Sequence, residues 1–458
     1  MATFHTAFLG CKVSQADSEA AASELAAASL SAAGPGEPAD ICVLMSCCVT
    51  AEAERKSRQL ARRLARSHRR VIVGGCAARL RPDQFRERGI EPLDGRPLAT
   101  LVGEALTAGA GRSGGEATKR AGAEDASATR DGRAAPRTRL MLKVQDGCPQ
   151  SCAFCTVRLA RGQVWSLPVR EAVRRTERAV AAGCGEVVLT GVNLGVYRDE
   201  MGVDLAGLIE RLVEVPGLER LRLSSLEPNH LRPRLLRALA HEKVARHLHV
   251  PLQSAADRVL RDMNRPYTFA EYGELVGAAR VALGDDLALT TDVIVGYPTE
   301  DESAFAATLA ALEGPEALFD RVHVFPYSPR PGTPAERLPV LPPVVVRERA
   351  AAALRAAAAA QQAAARRALG KPAAVLMEER RDGMWRGYSS QYVRYYVEEM
   401  GLPDGFAGAA ALPAHSGCQV AQGRRESEDR VTGADLRGRL VRVVGERLFR
   451  DGLKGRIL

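Results

Sequence analysis

The chain opens with short apolar runs separated by longer stretches whose apolar residues recur at helical spacing: TAFLG, SEAAASELAAASL, ICVLMSC, AEAERKSRQLARRLARS and RRVIVGGC. This alternation predicts a βαβαβ unit and a parallel, doubly wound sheet over the first hundred residues. A second series begins at LMLKVQDG and continues through EVVLTGVN, RLRLSSL, HLHVPLQ, LALTTDVIVG and RVHVFPY, with helical sequence such as VREAVRRTERAVAAG between the runs. Six strand-helix units predict an incomplete (β/α)6 barrel. Between the two series, residues 104–138 carry a single Leu and no Val, Ile or aromatic residue. Such a stretch has too little apolar surface to order itself and reads as a solvated linker.

Beyond Arg330-Pro331-Gly332-Thr333-Pro334, which interrupts regular structure, the Ala-rich stretch from Val344 to Leu369 predicts one long helix ended by Gly370 and Pro372. The tail changes period again. AAVLMEE, QYVRYYVEE, CQVAQG, RLVRVVGERL and LKGRIL read as short strands of a small β-barrel. The expected class is therefore α/β, with a doubly wound domain at 1–103, a linker at 104–138, a barrel with its trailing helix at 139–369 and a β-barrel at 370–458.

Composition narrows this picture. A chain of 458 residues accommodates about three domains. Aromatic residues are only 5% against 46% hydrophobic, so the cores are aliphatic. Lys and Arg number 64 against 55 acidic residues, a net +9 that suits a nucleic-acid partner without demonstrating one. From Arg437 onward, seven basic residues face only Glu446 and Asp451, which predicts a positive face on the tail barrel. The N-terminal MATFHTAFLGC lacks a charged region ahead of an apolar run, and no stretch reaches ~18 uninterrupted apolar residues. The expectation is a cytoplasmic protein with no membrane partner.

The ten cysteines fall in clusters, which points to metal ligation in a reducing compartment. Cys148, Cys152 and Cys155 stand in KVQDGCPQSCAFCTVRLARG. A CxxxCxxC loop offers three thiolates to a cubane with four irons, so one iron stays open for chemistry, whereas ferredoxin-type clusters are closed by four cysteines. Zinc loops usually pair CxxC units or add histidines, and none lies near here. The spacing is that of radical S-adenosylmethionine (SAM) enzymes. Polar residues recur where the barrel strands end, at Cys148, Asn193, Glu227, Gln253, Asp292 and Tyr327, the face on which barrel active sites are built. Individually, Asn193 or Glu227 is equally readable as a helix cap.

A second set, Cys11, Cys47 and Cys76, occupies the carboxyl ends of the three N-terminal strands. In a doubly wound sheet these ends lie side by side at the ligand crevice, so three thiolates can meet there. Singly, each also reads as a small buried hydrophobe. Cys48 adjoins Cys47, and the sequence leaves open which of the two faces the crevice. Cys42, Cys184 and Cys418 are read as unliganded. One open iron to cleave SAM and another to carry sulfur is the pairing required to insert sulfur into a C–H bond.

LGCKVSQADSE, SCCVTAEAERKSRQ, VGGCAARL, QDGCPQSCAFCTVRLARG, VLTGVNLG, RLSSLEP, HVPLQSAADRVLRDMNRPYT, TTDVIVGYPTE and HVFPYSPRPGTPA together resemble the methylthiotransferases of the radical SAM superfamily, over nearly the whole chain. The resemblance implies SAM and two [4Fe-4S] clusters. Cys148, Cys152 and Cys155 would hold the SAM-cleaving cluster, and Cys11, Cys47 and Cys76 a sulfur-donating one. It implies SAM contacts from Thr190, Gly191, Ser225, Glu227, Gln253 and Gly296, and an RNA-binding TRAM-like barrel in the tail. AEAERKSRQ and HVFPYSPRPGTPA are most similar to the branch that converts N6-threonylcarbamoyladenosine at position 37, next to the anticodon, to its 2-methylthio derivative. The implied partners are a tRNA anticodon stem-loop and an electron donor such as flavodoxin or ferredoxin. Isopentenyladenosine or an aspartate of ribosomal protein S12 as acceptor, and a non-catalytic zinc-stabilised RNA-binding protein, are the alternatives. Two departures stand out. Met45-Ser46-Cys47-Cys48 replaces the family's Asn-Thr-Cys-Thr, and Ala255 replaces a Gly, which matters if the backbone there needs a positive φ.

Overall fold

The computed structural model describes residues 1–34, 36–107, 138–313, 318–398 and 435–458. In the first domain, β1 (Thr3–Phe8), β2 (Ile41–Ser46) and β3 (Arg70–Gly74) lie parallel and adjacent, flanked by short edge strands at Ser31–Ala32 and Ile90–Pro92. Every residue of the central β2 is buried. Strand alternation sends Ile41, Val43 and Met45 into one core and Cys42 and Leu44 into the other, as a sheet covered on both faces requires. Helices α1 (Lys12–Ala27), α2 (Ala51–Leu64) and α3 (Gly75–Leu80) each begin just past one of these strands. Thr50 caps α2, its hydroxyl accepting from the Ala53 amide at 3.1 Å.

The expected linker starts four residues too early. A helix runs from Leu98 to Thr107, and its Leu98, Leu101, Val102 and Ala105 bury onto the first core. Leucine, valine and alanine at helical spacing thus carry Glu104 to Thr107 into the domain. The linker reading for 108–137 and the strand reading of CQVAQG lie outside the described residues, as does Cys418.

The barrel strands are β4 (Arg139–Lys143), β5 (Glu186–Thr190), β6 (Arg220–Leu223), β7 (His247–His249), β8 (Ala288–Val295) and β9 (Arg321–Pro326). They pair in parallel as β4-β5-β6 and β7-β8-β9, and a backbone bridge between Ser225 and His249 joins the two halves. No described residue pairs β4 with β9, so the barrel is partial. Helix α1 lies against β4, and the long helix Pro343–Arg367 lies along β9.

The tail strands β10 (Pro372–Arg381), β11 (Met384–Ser389), β12 (Arg394–Glu398), β13 (Leu440–Phe449) and β14 (Gly452–Ile457) close a barrel in the order β10-β11-β12-β14-β13. Strand β11 is not apparent in the sequence because its buried positions are Trp385, Gly387 and Ser389, only one of them a large hydrophobe.

The tail is fastened to the amino end of the larger barrel by arginines that satisfy its turn carbonyls. Arg220 donates to the Ala374 carbonyl at 2.7 Å, and Arg222 to the carbonyls of Ser389 and Ser390, both at 3.0 Å. Tyr392, held in the left-handed region at φ 64°, stacks on His247 with ring centroids 4.8 Å apart and lies 4.7 Å from the Arg222 guanidinium. Glu186 neutralises this cluster through Arg139, Arg220 and Arg222.

Candidate active site

The CxxxCxxC segment leaves the short strand Gln145–Asp146 through Gly147, at φ 75°, where a Cβ would run into the carbonyl of Gln163. Only glycine fits this turn. Around it, Gln145 donates to the Gly147 carbonyl at 2.7 Å and accepts from the Asn193 amide at 2.8 Å, while the Ala153 amide reaches the Met263 carbonyl at 3.0 Å. Three donors point at the three sulfurs. Asn193 Nδ2 is 3.9 Å from Cys148 Sγ, Arg265 Nη1 is 3.2 Å from Cys152 Sγ, and the Val157 amide is 3.5 Å from Cys155 Sγ.

Burial pushes the Cys155 thiol up to about 12, with Cys152 and Cys148 close enough to add to the rise. Burial also raises Cys152, against the pull of Arg265. These thiols resist ionisation alone, yet the surrounding N–H donors suit thiolates bound to a positive centre. Arg265 also pairs with Glu227 and donates to the Tyr267 hydroxyl at 2.9 Å, tying the β6 end to the cysteine loop. Burial raises Glu227, with Arg265 opposing.

The second set converges at the parallel strand ends. Gly10, at φ 134°, lies against Cys47, so that a Cβ on it would sit 3.0 Å from Cys47 Cβ. Gly75, at φ 82°, brings the β3 end so close to the Ser46 backbone that no side chain fits. Cys47 rises to about 11, chiefly through burial, with Cys11 and Cys76 both contributing. Cys48 turns to Cys76 and Thr156. Its thiol donates to Cys76 and lies 3.6 Å from the Thr156 hydroxyl, which raises Cys48 and helps bring Cys76 down to about 6. Arg161 donates from Nε to Cys76 Sγ at 3.2 Å and from Nη1 to Asp17 at 2.8 Å and Asp146 at 3.2 Å, linking the crevice to the barrel loop.

An open cavity of about 140 Å³ lies between the two loops. Val49 and Thr50, just past Cys47 and Cys48, form one side; Phe154, Cys155 and Thr156 form the other; and Gln253, Asp292, Ile294, Phe325 and Tyr327 supply the wall. Its mixture of apolar surface with a smaller polar share suits a small-molecule or nucleobase site. Asp292 is held by two imidazoles, His249 Nε2 at 3.0 Å and His323 Nδ1 at 3.1 Å on the same oxygen. Burial alone would raise this carboxyl, but the two rings hold it far below its ordinary value.

Of the six residues expected to touch SAM, Gln253 lines the cavity, with its backbone at positive φ, 69°. Ala255 is not among the residues with positive φ, so the loss of Gly there imposes no strain. Glu227 reaches the cysteine loop through Arg265. Thr190 is fully buried, with its hydroxyl on the Val188 carbonyl at 3.1 Å, and the Gly191 amide lies 3.4 Å from the Ser224 hydroxyl. Ser225 makes the backbone bridge to His249. Gly296, at φ 74°, packs against Val346 of the long helix, and its amide donates to Glu300 at 2.8 Å. Thr190, Gly191, Ser225 and Gly296 are thus not among the residues lining this cavity. Sequence reasoning missed Arg161 and Arg265. The LARG following the cysteines was the available signal for Arg161, and the NRPYT end of HVPLQSAADRVLRDMNRPYT was the signal for Arg265, although it stands 113 positions from Cys152.

A three-cysteine loop at the carboxyl end of the first strand of a parallel partial barrel defines a radical SAM enzyme, and the model of the Radical SAM superfamily matches residues 142–312. That class uses SAM and a [4Fe-4S] cluster. The model described as Uncharacterized protein family UPF0004 matches residues 3–92. The chain is 34% identical to the threonylcarbamoyladenosine tRNA methylthiotransferase MtaB of Thermotoga maritima, over 74% of this chain and 77% of that protein. It is 33% identical to MtaB of Bacillus subtilis over 73% and 75%, and 33% identical to a tRNA-2-methylthio-N(6)-dimethylallyladenosine synthase of Novosphingobium aromaticivorans over 84% and 89%. In fold it is similar to the radical SAM methyltransferase TsrM of Kitasatospora setae, with a TM-score of 0.52 and 14% identity over 73% of this chain and 77% of that one. The chain belongs to the radical SAM methylthiotransferases.

Proposed function

We propose that this enzyme converts N6-threonylcarbamoyladenosine, at position 37 next to the anticodon of tRNA, to its 2-methylthio derivative. The observation that carries the reading is one cavity bounded on one side by the Cys148–Cys155 loop and on the other by the residues following Cys47 and Cys48. The MtaB relatives at 33–34% identity support the acceptor. In this reading Cys148, Cys152 and Cys155 hold the SAM-cleaving cluster, and Cys11, Cys47 and Cys76 hold a second [4Fe-4S] cluster. When bound, these clusters would supply the electron that cleaves one SAM and the sulfur that replaces a hydrogen of the base, and a second SAM would supply the methyl group. Arg265, Asn193 and the Val157 amide orient the first thiolate set, and Arg161 the second. Cys48 donates to Cys76 and is not a ligand. Gln253 contacts SAM, and Thr190, Gly191, Ser225, Glu227 and Gly296 shape the strand ends around it.

The base must leave its stack to reach the cavity, which suits a single-stranded anticodon loop. The tail barrel grips the RNA. Helix α2 contributes less, because Arg55, Arg58 and Arg62 are already paired with Glu52, Glu54 and Glu87. An electron donor such as flavodoxin or ferredoxin completes the system in the cytoplasm. Among the described residues no helix is long and apolar enough to cross a membrane.

The broad match to a dimethylallyladenosine synthase favours isopentenyladenosine as the second reading. Nucleoside analysis of tRNA from a strain lacking the gene separates the two. Loss of 2-methylthio-threonylcarbamoyladenosine alone supports the proposal, and its persistence without a second copy of the gene refutes it. Anaerobic reconstitution should give about eight irons per chain for two cubanes; colourless protein that saturates with zinc would mean a non-catalytic RNA-binding protein.

A further inference from the structure

Among the described residues lining the cavity, Asp292 alone brings a carboxylate, and the fold leaves it half satisfied. His249 Nδ1 is buried with no partner, so a proton there would be enclosed and unpaired. The ring therefore carries its proton on Nε2 and donates to Asp292 Oδ1 at 3.0 Å. His323 stands opposite Asp292 in the β8-β9 register and meets the same oxygen through Nδ1 at 3.1 Å. A carboxylate oxygen only accepts, so this ring donates as well. Oδ1 is thus taken twice. Oδ2 has no partner among the described residues, and what it lacks is a donor.

The shape of the base directs its N6 substituent at this wall. The reacting carbon, C2, has to face the two cysteine loops, with Val49 and Thr50 on one side and Phe154, Cys155 and Thr156 on the other. C2 and C6 are separated by N1 on the purine, so their substituents diverge, and N6 points away from the loops toward Asp292, Ile294 and Phe325 at the ends of β8 and β9. Of the donors of a threonylcarbamoyl group, the ureido N–H beside threonine closes back onto N1, and the N6–H is common to every singly N6-substituted adenine. The threonyl hydroxyl is the donor that remains. Like charge keeps the group's own carboxylate off Asp292 and turns it to the open mouth of the cavity.

We propose that Asp292 Oδ2 accepts a hydrogen bond from the threonyl hydroxyl of the N6 substituent and thereby selects a hydroxylated substituent over an alkyl one. This rests on the function proposed above. An apolar dimethylallyl group against the same wall would cover Oδ2 and leave a carboxylate oxygen desolvated and unpaired, which costs more than the loss of one contact. His249 and His323 are positioning residues in this account. Their two bonds to Oδ1 hold the carboxylate in place before substrate arrives, so little ordering is lost on binding.

The experiment compares reconstituted wild type, Asp292→Asn and His323→Phe on tRNA carrying threonylcarbamoyladenosine and on the same tRNA with 2-aminobutyrate in place of threonine, which lacks only the hydroxyl. Wild type should lose ~10- to 100-fold in kcat/KM without the hydroxyl, the range expected for one hydrogen bond to a charged group. Asp292→Asn keeps an oxygen for the two rings and turns an amide N–H to the cavity. It should show that loss already on the hydroxylated tRNA, mainly in KM, and little further loss on the other. His323→Phe frees one side of the carboxylate and should narrow the preference, and iron content verifies that each variant is assembled. Equal use of the two tRNAs by wild type overturns the inference while leaving the proposed function standing. So does an undiminished preference in Asp292→Asn, including an equal fall on both tRNAs, as a contact with SAM would give. If Asp292→Asn is inactive on both, His323→Phe decides: a narrowed preference supports the inference and an undiminished one overturns it. Wild type inactive on both tRNAs refutes the function, and the inference with it.

Discussion

Glu186→Gln tests how the two barrels are held together. Glu186 is fully enclosed at the start of β5, with Arg222 at 2.8 Å, Arg220 at 3.2 Å and Arg139 at 3.4 Å. Burial pushes its carboxyl up, but Arg222, Arg139 and Arg220 together outweigh this and hold it at about 2 against an ordinary 4.5. At about 1.4 kcal/mol for each tenfold in proton affinity, this difference stabilises the folded protein by about 3 kcal/mol at neutral pH. Because the folded value is depressed, the contribution is complete above 4.5 and is lost as pH falls through about 2. The neutral variant should therefore be about 3 kcal/mol less stable at pH 7, and the gap should narrow on acidification below 4.5. Urea unfolding followed by fluorescence reports the tail directly, since Trp385 is buried in its core whereas Trp165 is exposed. A variant as stable as wild type at pH 7, or a gap that widens in acid, would refute the charge-compensation argument.

Iron counts separate the adjacent cysteines: Cys47→Ala should lose about half of about eight irons, while Cys48→Ala keeps them all. Gly147→Ala puts a Cβ into the Gln163 carbonyl at φ 75° and should lose the iron of the Cys148 loop, read by the same assay. Arg265→Met removes the 3.2 Å bond to Cys152 and leaves Glu227 buried without its partner. It should cut SAM cleavage to 5′-deoxyadenosine by ~10- to 100-fold, as loss of a ligand's supporting partner typically does; unchanged turnover would remove Arg265 from the site. Affinity for tRNA should fall linearly with log salt concentration in a filter-binding titration, with a slope set by the number of phosphates contacted.

The CxxxCxxC loop was legible because its three cysteines lie within one short loop of chain. The second set was legible because β1, β2 and β3 are adjacent and parallel, so equivalent turns meet even at separations of 36 and 29 residues. Strand β11 was not legible, because Gly387 and Ser389 at buried positions give no apolar alternation. The start of the linker was misplaced because Leu106 stood alone in a stretch otherwise free of large apolar residues, while the helix that crosses into it draws its burial from Leu98, Leu101 and Val102 upstream.

What the sequence determined alone is the order of strands and helices, the positions of the thiols along them and the family they resemble, all of which follow from local periodicity and spacing. The tertiary structure decided that Cys48 turns toward Thr156, that both cysteine loops border one cavity, and that Arg139 and Arg222 share Glu186. These depend on which distant side chains share a buried volume. The compensation of buried charge is summed over that volume, and no local pattern in the chain encodes the sum.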